Sequence, residues 1–208
     1  MRMCIDQSCR TIWRLWRENP DIEFMQLRTP LTQYAIDDLG IIHYGLDNGA
    51  FTEFDSRTFT RMALKAKDDP LCDWIVMPDM VGDAGSTSAL FDHWVQELDL
   101  TEKRAYALQD GATLGLVPFD KIECLFIGGT DHFKESRRCM EIVEQAKQLE
   151  IWVHVGRVNT PRRIVYWDGI ADSFDGSGVA RFSHMTEAAI STIRQLMGST
   201  QTRLEMGE

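Results

Sequence analysis

Short apolar runs alternate along this chain with stretches in which apolar residues recur every three or four positions. The runs Ile22–Leu27, Ile41–Leu46, Trp74–Met77, Ala105–Leu108, Ile122–Ile127, Ile151–Val155 and, weakly, Ala171–Phe174 read as buried strands. Between them the spacing predicts amphipathic helices. Phe59, Met62, Ala63 and Ala66 share one face, as do Leu90, Phe91, Trp94, Val95 and Leu98. Cys139, Ile142, Val143 and Ala146 repeat the pattern, and Ala189, Ile190, Ile193 and Met197 close it. Residues 10–19 read as a short helix stopped by Pro20. Ser56 is placed to cap the helix that follows it, and Thr160-Pro161 supplies a cap followed by proline at the first helical position.

Strands alternating with amphipathic helices imply βαβ units and a parallel sheet. About seven units follow one another with no Gly/Ser linker. That count favours an α/β fold of the compact (β/α) TIM type, with about seven to eight parallel strands, over a doubly wound sheet. An eighth strand is poorly marked. The 208 residues are expected to form one domain, with 198–208 as a flexible tail.

Composition narrows the function. Hydrophobic residues at 44% and charged residues at 26% match globular averages and exclude disordered and collagen-like chains. No apolar run approaches the roughly 18 residues needed to span a bilayer. The first ten residues, MRMCIDQSCR, lack the apolar stretch of a signal peptide, so a cytoplasmic location is expected. A net charge of -10 argues against a generally basic nucleic-acid coat, though not against a local basic stripe. The five cysteines, Cys4, Cys9, Cys72, Cys124 and Cys139, form no CxxC pair. Their odd number suits a reducing compartment, and no structural zinc site is expected.

In a parallel barrel, functional groups gather at the C-terminal ends of the strands, where the loops converge on one mouth. Here Asp47 follows the second run, and Asp79 and Asp83 the third. Gln109-Asp110-Gly111 and Gly128-Gly129-Thr130 follow the next two, His154 and Arg157 end the sixth, and Asp172 and Asp175 close the series. Asp, Asn and Gly also mark ordinary turns. Six successive loops carrying acid, amide or diglycine are better explained together, by a single rim. The five histidines show no HxH or HExxH pattern. His93 reads as a surface or packing residue, and His154 as core-facing or supporting rather than a ligand. No metal and no cofactor is expected. Two separated carboxylates fit cleavage of a glycosidic bond, one attacking or stabilising the anomeric carbon and the other handling the proton.

These loops, from about Ile41 to Arg181, resemble in order those of the tRNA-guanine transglycosylase superfamily, which includes enzymes that insert 7-deazaguanines into DNA. LDNGAF is similar to the family's DSGG(F/Y)Q segment, which implies that Asp47 is a general acid/base. IVMPDM resembles the segment whose aspartate reads the base edge, at Asp79. LQDG and FIGGT are similar to the loops that bind the base through an amide, at Gln109, and through backbone, at Gly128 and Gly129. HVGRVNTPRRIVYWDGIADSFD resembles the run that ends in the covalent nucleophile, at Asp175. The family's zinc-binding CxC…C…H arrangement is absent, and DSGG has become DNGA. The tRNA enzymes are also considerably longer. The resemblance therefore implies DNA ahead of tRNA as the partner.

Read from chemistry alone, Asp79 and Gln109 offer an acceptor and an amide to an extruded base, and Gly128-Gly129 leaves room for a flat ring. The same diglycine also suits a tight strand-to-helix turn. Lys134, Arg157, Arg162 and Arg163 are candidates for a local phosphate track, whereas Arg137 and Arg138 read as solvated helix positions. Trp13 and Trp16 read as packing. The leading expectation is an enzyme that removes a modified base from DNA and leaves an abasic site, as phage-defence glycosylases do. Exchange of guanine for a free 7-deazaguanine base, in DNA or tRNA, is the runner-up. A metal-dependent barrel hydrolase of a small molecule and a catalytically silent nucleic-acid binding module are the alternatives from other classes.

Overall fold

The computed structural model describes residues 1–206. Eight strands close into an all-parallel barrel in strict sequence order. They are β1 (Arg2–Ile5), β2 (Phe24–Arg28), β3 (Tyr44–Leu46), β4 (Cys72–Val76), β5 (Arg104–Leu108), β6 (Cys124–Ile127), β7 (Trp152–Val155) and β8 (Ser173–Asp175). The helices around them are α1 (Cys9–Glu18), α2 (Ser56–Ala66), α3 (Ala84–Glu97), α4 (Asp131–Lys134), α5 (Arg137–Gln148), α6 (Pro161–Trp167), α7 (Ser177–Arg181) and α8 (Ser183–Met206). The fold is thus the TIM-type barrel that the alternation predicts. No described helix is long and apolar enough to cross a membrane.

The weak run Ala171–Phe174 yields β8, and the poorly marked eighth strand is β1. Its three apolar residues, Met3, Cys4 and Ile5, are buried, and it pairs with β2 on one side and β8 on the other. Four residues give too little pattern to stand out, yet without them the barrel cannot close. Alternate strand positions divide between two cores. Met3, Ile5, Tyr44, Ile75, Tyr106, Leu125, Val153 and Phe174 pack with the helices. Cys4, Met25, Leu27, Trp74, Val76, Ala105, Ala107 and Cys124 fill the barrel interior, flanked by Phe126 and Trp152.

Helix boundaries follow local chemistry. The cap of α2 is Asp55 rather than Ser56, because the Asp55 carboxylate accepts both the Thr58 N–H at 3.0 Å and its hydroxyl at 2.7 Å. Thr160 caps α6, with Pro161 at the first turn. On α5, Cys139, Ile142, Val143 and Ala146 are all buried. In the segment expected as a flexible tail, α8 continues as helix through Met206, since Gly198 weakens a helix by only ~1 kcal/mol and no proline follows it. Residues 207–208 of that segment lie outside the described residues. Trp13 and Trp16 stack at 5.5 Å, and Trp13 Nε1 donates to Asp37 at 2.9 Å, so both serve packing.

A candidate active site at the barrel mouth

The C-terminal ends of the strands enclose a pocket of about 350 Å³. That is near the lower end of the ~300–1,000 Å³ typical of small-ligand sites. Asp47, Asp79, Gln109, Gly128, Gly129, Arg157 and Asp175 all line it. The aspartates of the rim divide into two kinds. Asp83 caps α3, accepting the Ser86 N–H at 3.0 Å. Asp110 holds Thr130 through its backbone N–H at 2.7 Å and its hydroxyl at 2.6 Å. Asp172 does not belong to the rim at all. β8 begins at Ser173, so Asp172 precedes the strand, pairing with Lys147 at 2.8 Å and accepting the Val153 N–H at 2.7 Å. For these three, the turn reading is the correct one.

Asp47 leaves β3 with its Oδ1 accepting the Gly49 N–H at 3.0 Å. Burial pushes its carboxyl up to about 7, assisted by the negative charges of Asp175, Asp79 and Asp6. Asp175 ends β8 and is almost fully buried. Its Oδ1 accepts the Arg157 N–H at 3.2 Å, and its Oδ2 lies 3.1 Å from His154 Nε2. The two acids therefore differ in support: Asp47 has one donor aimed at its carboxyl, Asp175 has two.

Between them, Asp79 is clamped by amides. Asn48 Nδ2 donates to Oδ1 at 2.7 Å and Gln109 Nε2 to Oδ2 at 2.6 Å. Burial raises the Asp79 carboxyl above its ordinary range, and these donors hold it back. Gln109 Oε1 accepts the Gly82 and Gly129 N–H groups, each at 3.0 Å. Its oxygen is thus fully used, and one of its two amide hydrogens is left over. The diglycine has a structural cause as well. A Cβ at Gly128 would stand 2.5 Å from Gln109 Nε2, and Gly129 turns at φ +69° beside Asp110. Glycine here keeps Gln109 in place while also leaving the pocket wall flat.

Each of the four cations expected to form a phosphate track has a partner within the protein. Lys134 is buried and donates to the Gly156 carbonyl, and burial lowers its amine to about 8. α4 follows β6 after only Gly128-Gly129-Thr130, and its last two residues, Phe133 and Lys134, are buried. Arg163 pairs with Asp131 and, at 3.8 Å, with Glu135, while Arg162 reaches Glu135 at 3.4 Å. Arg157 alone of the four lines the pocket. It holds a left-handed backbone at φ +61°, a strained position for a residue with a side chain. That turn aims its N–H at Asp175, while its guanidinium donates to the Gly129 carbonyl and lies 4.4 Å from the Phe51 ring centroid.

Asp6, Arg181 and Asn48 are among the pocket residues that escape the sequence reading. Asp6 follows β1, accepts the Thr32 hydroxyl at 2.7 Å, and is raised by burial. Recognising β1 would have exposed it. Cys4, His154 and Asp175 look at first like a thiol–imidazole–carboxylate chain. Cys4 Sγ is 3.8 Å from His154 Nδ1, however, whereas Ser173 Oγ is 2.8 Å from it. Burial also pushes the Cys4 thiol far above its usual range, so it is no thiolate nucleophile. Among the described residues, no group of three or more His, Cys, Asp or Glu is arranged to hold a metal ion. No protein-family model matches the chain, and no curated protein matches it as a relative.

Proposed function

We propose that this protein cleaves the N-glycosidic bond of a base in DNA, through Asp47 and Asp175. The observation that carries this reading is their opening into one small pocket from distant parts of the chain, in unlike environments. A carboxyl raised to about 7 retains its proton near neutrality and can give it to a departing base. A carboxylate steadied by two N–H groups can attack or stabilise C1′ as positive charge develops there. Asp79, oriented by Asn48 and Gln109, offers acceptors to the donor groups of a base edge, and the spare Gln109 N–H offers a donor beside them. The backbone at Gly128 and Gly129 forms the adjoining wall.

Water as the final acceptor gives a glycosylase that leaves an abasic site. Exchange for a free modified base uses the same first step and requires water to be kept away from the sugar intermediate. The pairing of Arg162 and Arg163 with acids favours a second reading in which the same chemistry acts on a free nucleoside. One experiment separates the three. The protein is incubated with plain DNA, DNA carrying modified bases, and the corresponding nucleosides, each with and without free base. Abasic sites formed without added base support hydrolysis in DNA. Base incorporation only with added base supports exchange, and release from nucleosides alone supports the smaller substrate. No release from any of them rejects glycosidic cleavage.

A further inference from the structure

Behind Asp175, a chain of polar side chains runs through the otherwise apolar barrel interior. Trp152 and His154 occupy alternate positions of β7, and Ser173 and Asp175 alternate positions of β8. Pairing sets His154 level with Ser173. Because strand side chains alternate in direction, all four project into the barrel. Trp152 Nε1 lies 2.8 Å from Ser173 Oγ, Ser173 Oγ 2.8 Å from His154 Nδ1, and His154 Nε2 3.1 Å from Asp175 Oδ2. His154 and Ser173 have no solvent exposure. The imidazole plane is held between Phe126, stacked at 4.8 Å, and Trp74 at 4.7 Å.

The inventory of hydrogens gives this chain a direction. An indole N–H only donates, so Ser173 Oγ accepts from Trp152 and has its own hydrogen to give. Giving it to His154 Nδ1 leaves the ring proton on Nε2, where it meets the Asp175 carboxylate. The other tautomer would set a bare Nε2 lone pair against a carboxylate oxygen at 3.1 Å, acceptor against acceptor. Cys4 Sγ, at 3.8 Å from Nδ1, is the weaker and more distant neighbour.

We infer that Trp152, Ser173 and His154 form a one-way hydrogen-bond relay that fixes the His154 tautomer and makes it a positioning residue for Asp175. The role of Asp175 as attacking group rests on the proposed function, but the relay does not. With Oδ2 tied to His154 and Oδ1 to the Arg157 N–H, the carboxyl plane is held through both oxygens in the wall of the pocket. His154 touches neither base nor sugar in this scheme. It sets the angle at which Asp175 meets them.

Histidine ¹⁵N NMR on the full chain, without substrate, tests the relay. A single neutral tautomer is expected for His154, protonated at Nε2 and bare at Nδ1, with a mixture in Ser173→Ala. A wild-type ring protonated at Nδ1 overturns the relay. The Asp175 carboxyl carbon signal, also read without substrate, tests positioning. It is expected to shift in His154→Leu and to return in His154→Gln, whose amide can still donate to Oδ2; an unchanged signal in His154→Leu overturns the role. On a substrate that the wild type cleaves, His154→Leu is expected to lower kcat about 10- to 100-fold with little change in KM, and His154→Gln to regain most of it. Equal losses in the two variants likewise reject positioning. Failure of the wild type to release any base, with both NMR results as expected, rejects the glycosidic reading and leaves the relay standing.

Discussion

Asp47 and Asp175 face the same pocket but are held by opposite walls of the barrel, and the walls are built differently. On the β3 side, Asp47 receives one backbone N–H and sits near three other carboxylates, so its proton is retained to about pH 7. On the β7–β8 side, Asp175 receives a backbone N–H and an imidazole nitrogen, and the imidazole is itself secured by Ser173. The same residue type is thus raised to about 7 by burial and neighbouring charge on one wall and tied through both carboxyl oxygens on the other. Neither state is set by the aspartate itself.

The largest expected effect comes from the fixed side. Asp175→Asn removes the carboxylate while keeping its shape, and base release is expected to fall by about 10⁴-fold or more, measured in single-turnover assays. Asp47→Asn is expected to cost about 10²- to 10⁴-fold, in line with general acid catalysis. In the wild type, activity should decline as pH rises through about 7, where Asp47 loses its proton, and the Asp47→Asn profile should lack that limb.

The same substitution carries a stability signature of opposite sign. The folded-state carboxyl is raised above its ordinary 3.8, so the wild type is progressively destabilised as pH climbs from about 4 to about 7. Thermal melts should therefore show Asp47→Asn matching the wild type at pH 4 and exceeding it above pH 7. Equal melting temperatures at pH 8 would remove the environmental difference on which the two walls are contrasted.

Smaller effects probe the surroundings. Gly128→Ala puts a methyl against Gln109, with an expected cost of about 1–3 kcal/mol in chemical denaturation and a loss of the Asp79 clamp. Arg162→Ala should change stability by no more than about 0.5 kcal/mol, because its side chain is exposed and its partner Glu135 lies at the surface. If only Arg157 and Arg181 reach substrate phosphates, the logarithm of DNA affinity should fall against log salt with a slope near about −2, a shallow dependence. A slope several times steeper would require cations beyond the pocket.

Much of the barrel is legible in the sequence because β2, β4, β5, β6 and β7 are apolar enough to mark themselves. Strand ends are less so. The run Ile41–Leu46 contributes only Tyr44–Leu46 to the sheet, with Ile41 and His43 exposed ahead of it. β1 hides because three apolar residues carry no period, and with it went Asp6. Asp47, Asp79, Gln109, Gly128, Gly129, Arg157 and Asp175 were brought together because strand ends converge, a property of the fold that order along the chain conveys. Lys134, Arg162 and Arg163 could not be sorted that way. Whether a cation meets a phosphate, a carbonyl or a neighbouring acid depends on helix packing. The link from His154 to Asp175 had a faint signal: a polar residue at an inward position on each of two adjacent strands, in WVHV and SFD.

The central claim is that Asp175 bonds to, or directly faces, the sugar carbon that the base leaves, with Asp47 managing the proton. Denaturing mass spectrometry of the wild type, acid-quenched at short times during reaction with a cleavable DNA substrate, tests this most directly, since it samples the sugar-linked species before an acceptor resolves it. An adduct whose peptide map places the sugar on Asp175 is the expected result. An adduct on Cys4, or base release that persists unchanged in Asp175→Asn, would contradict it.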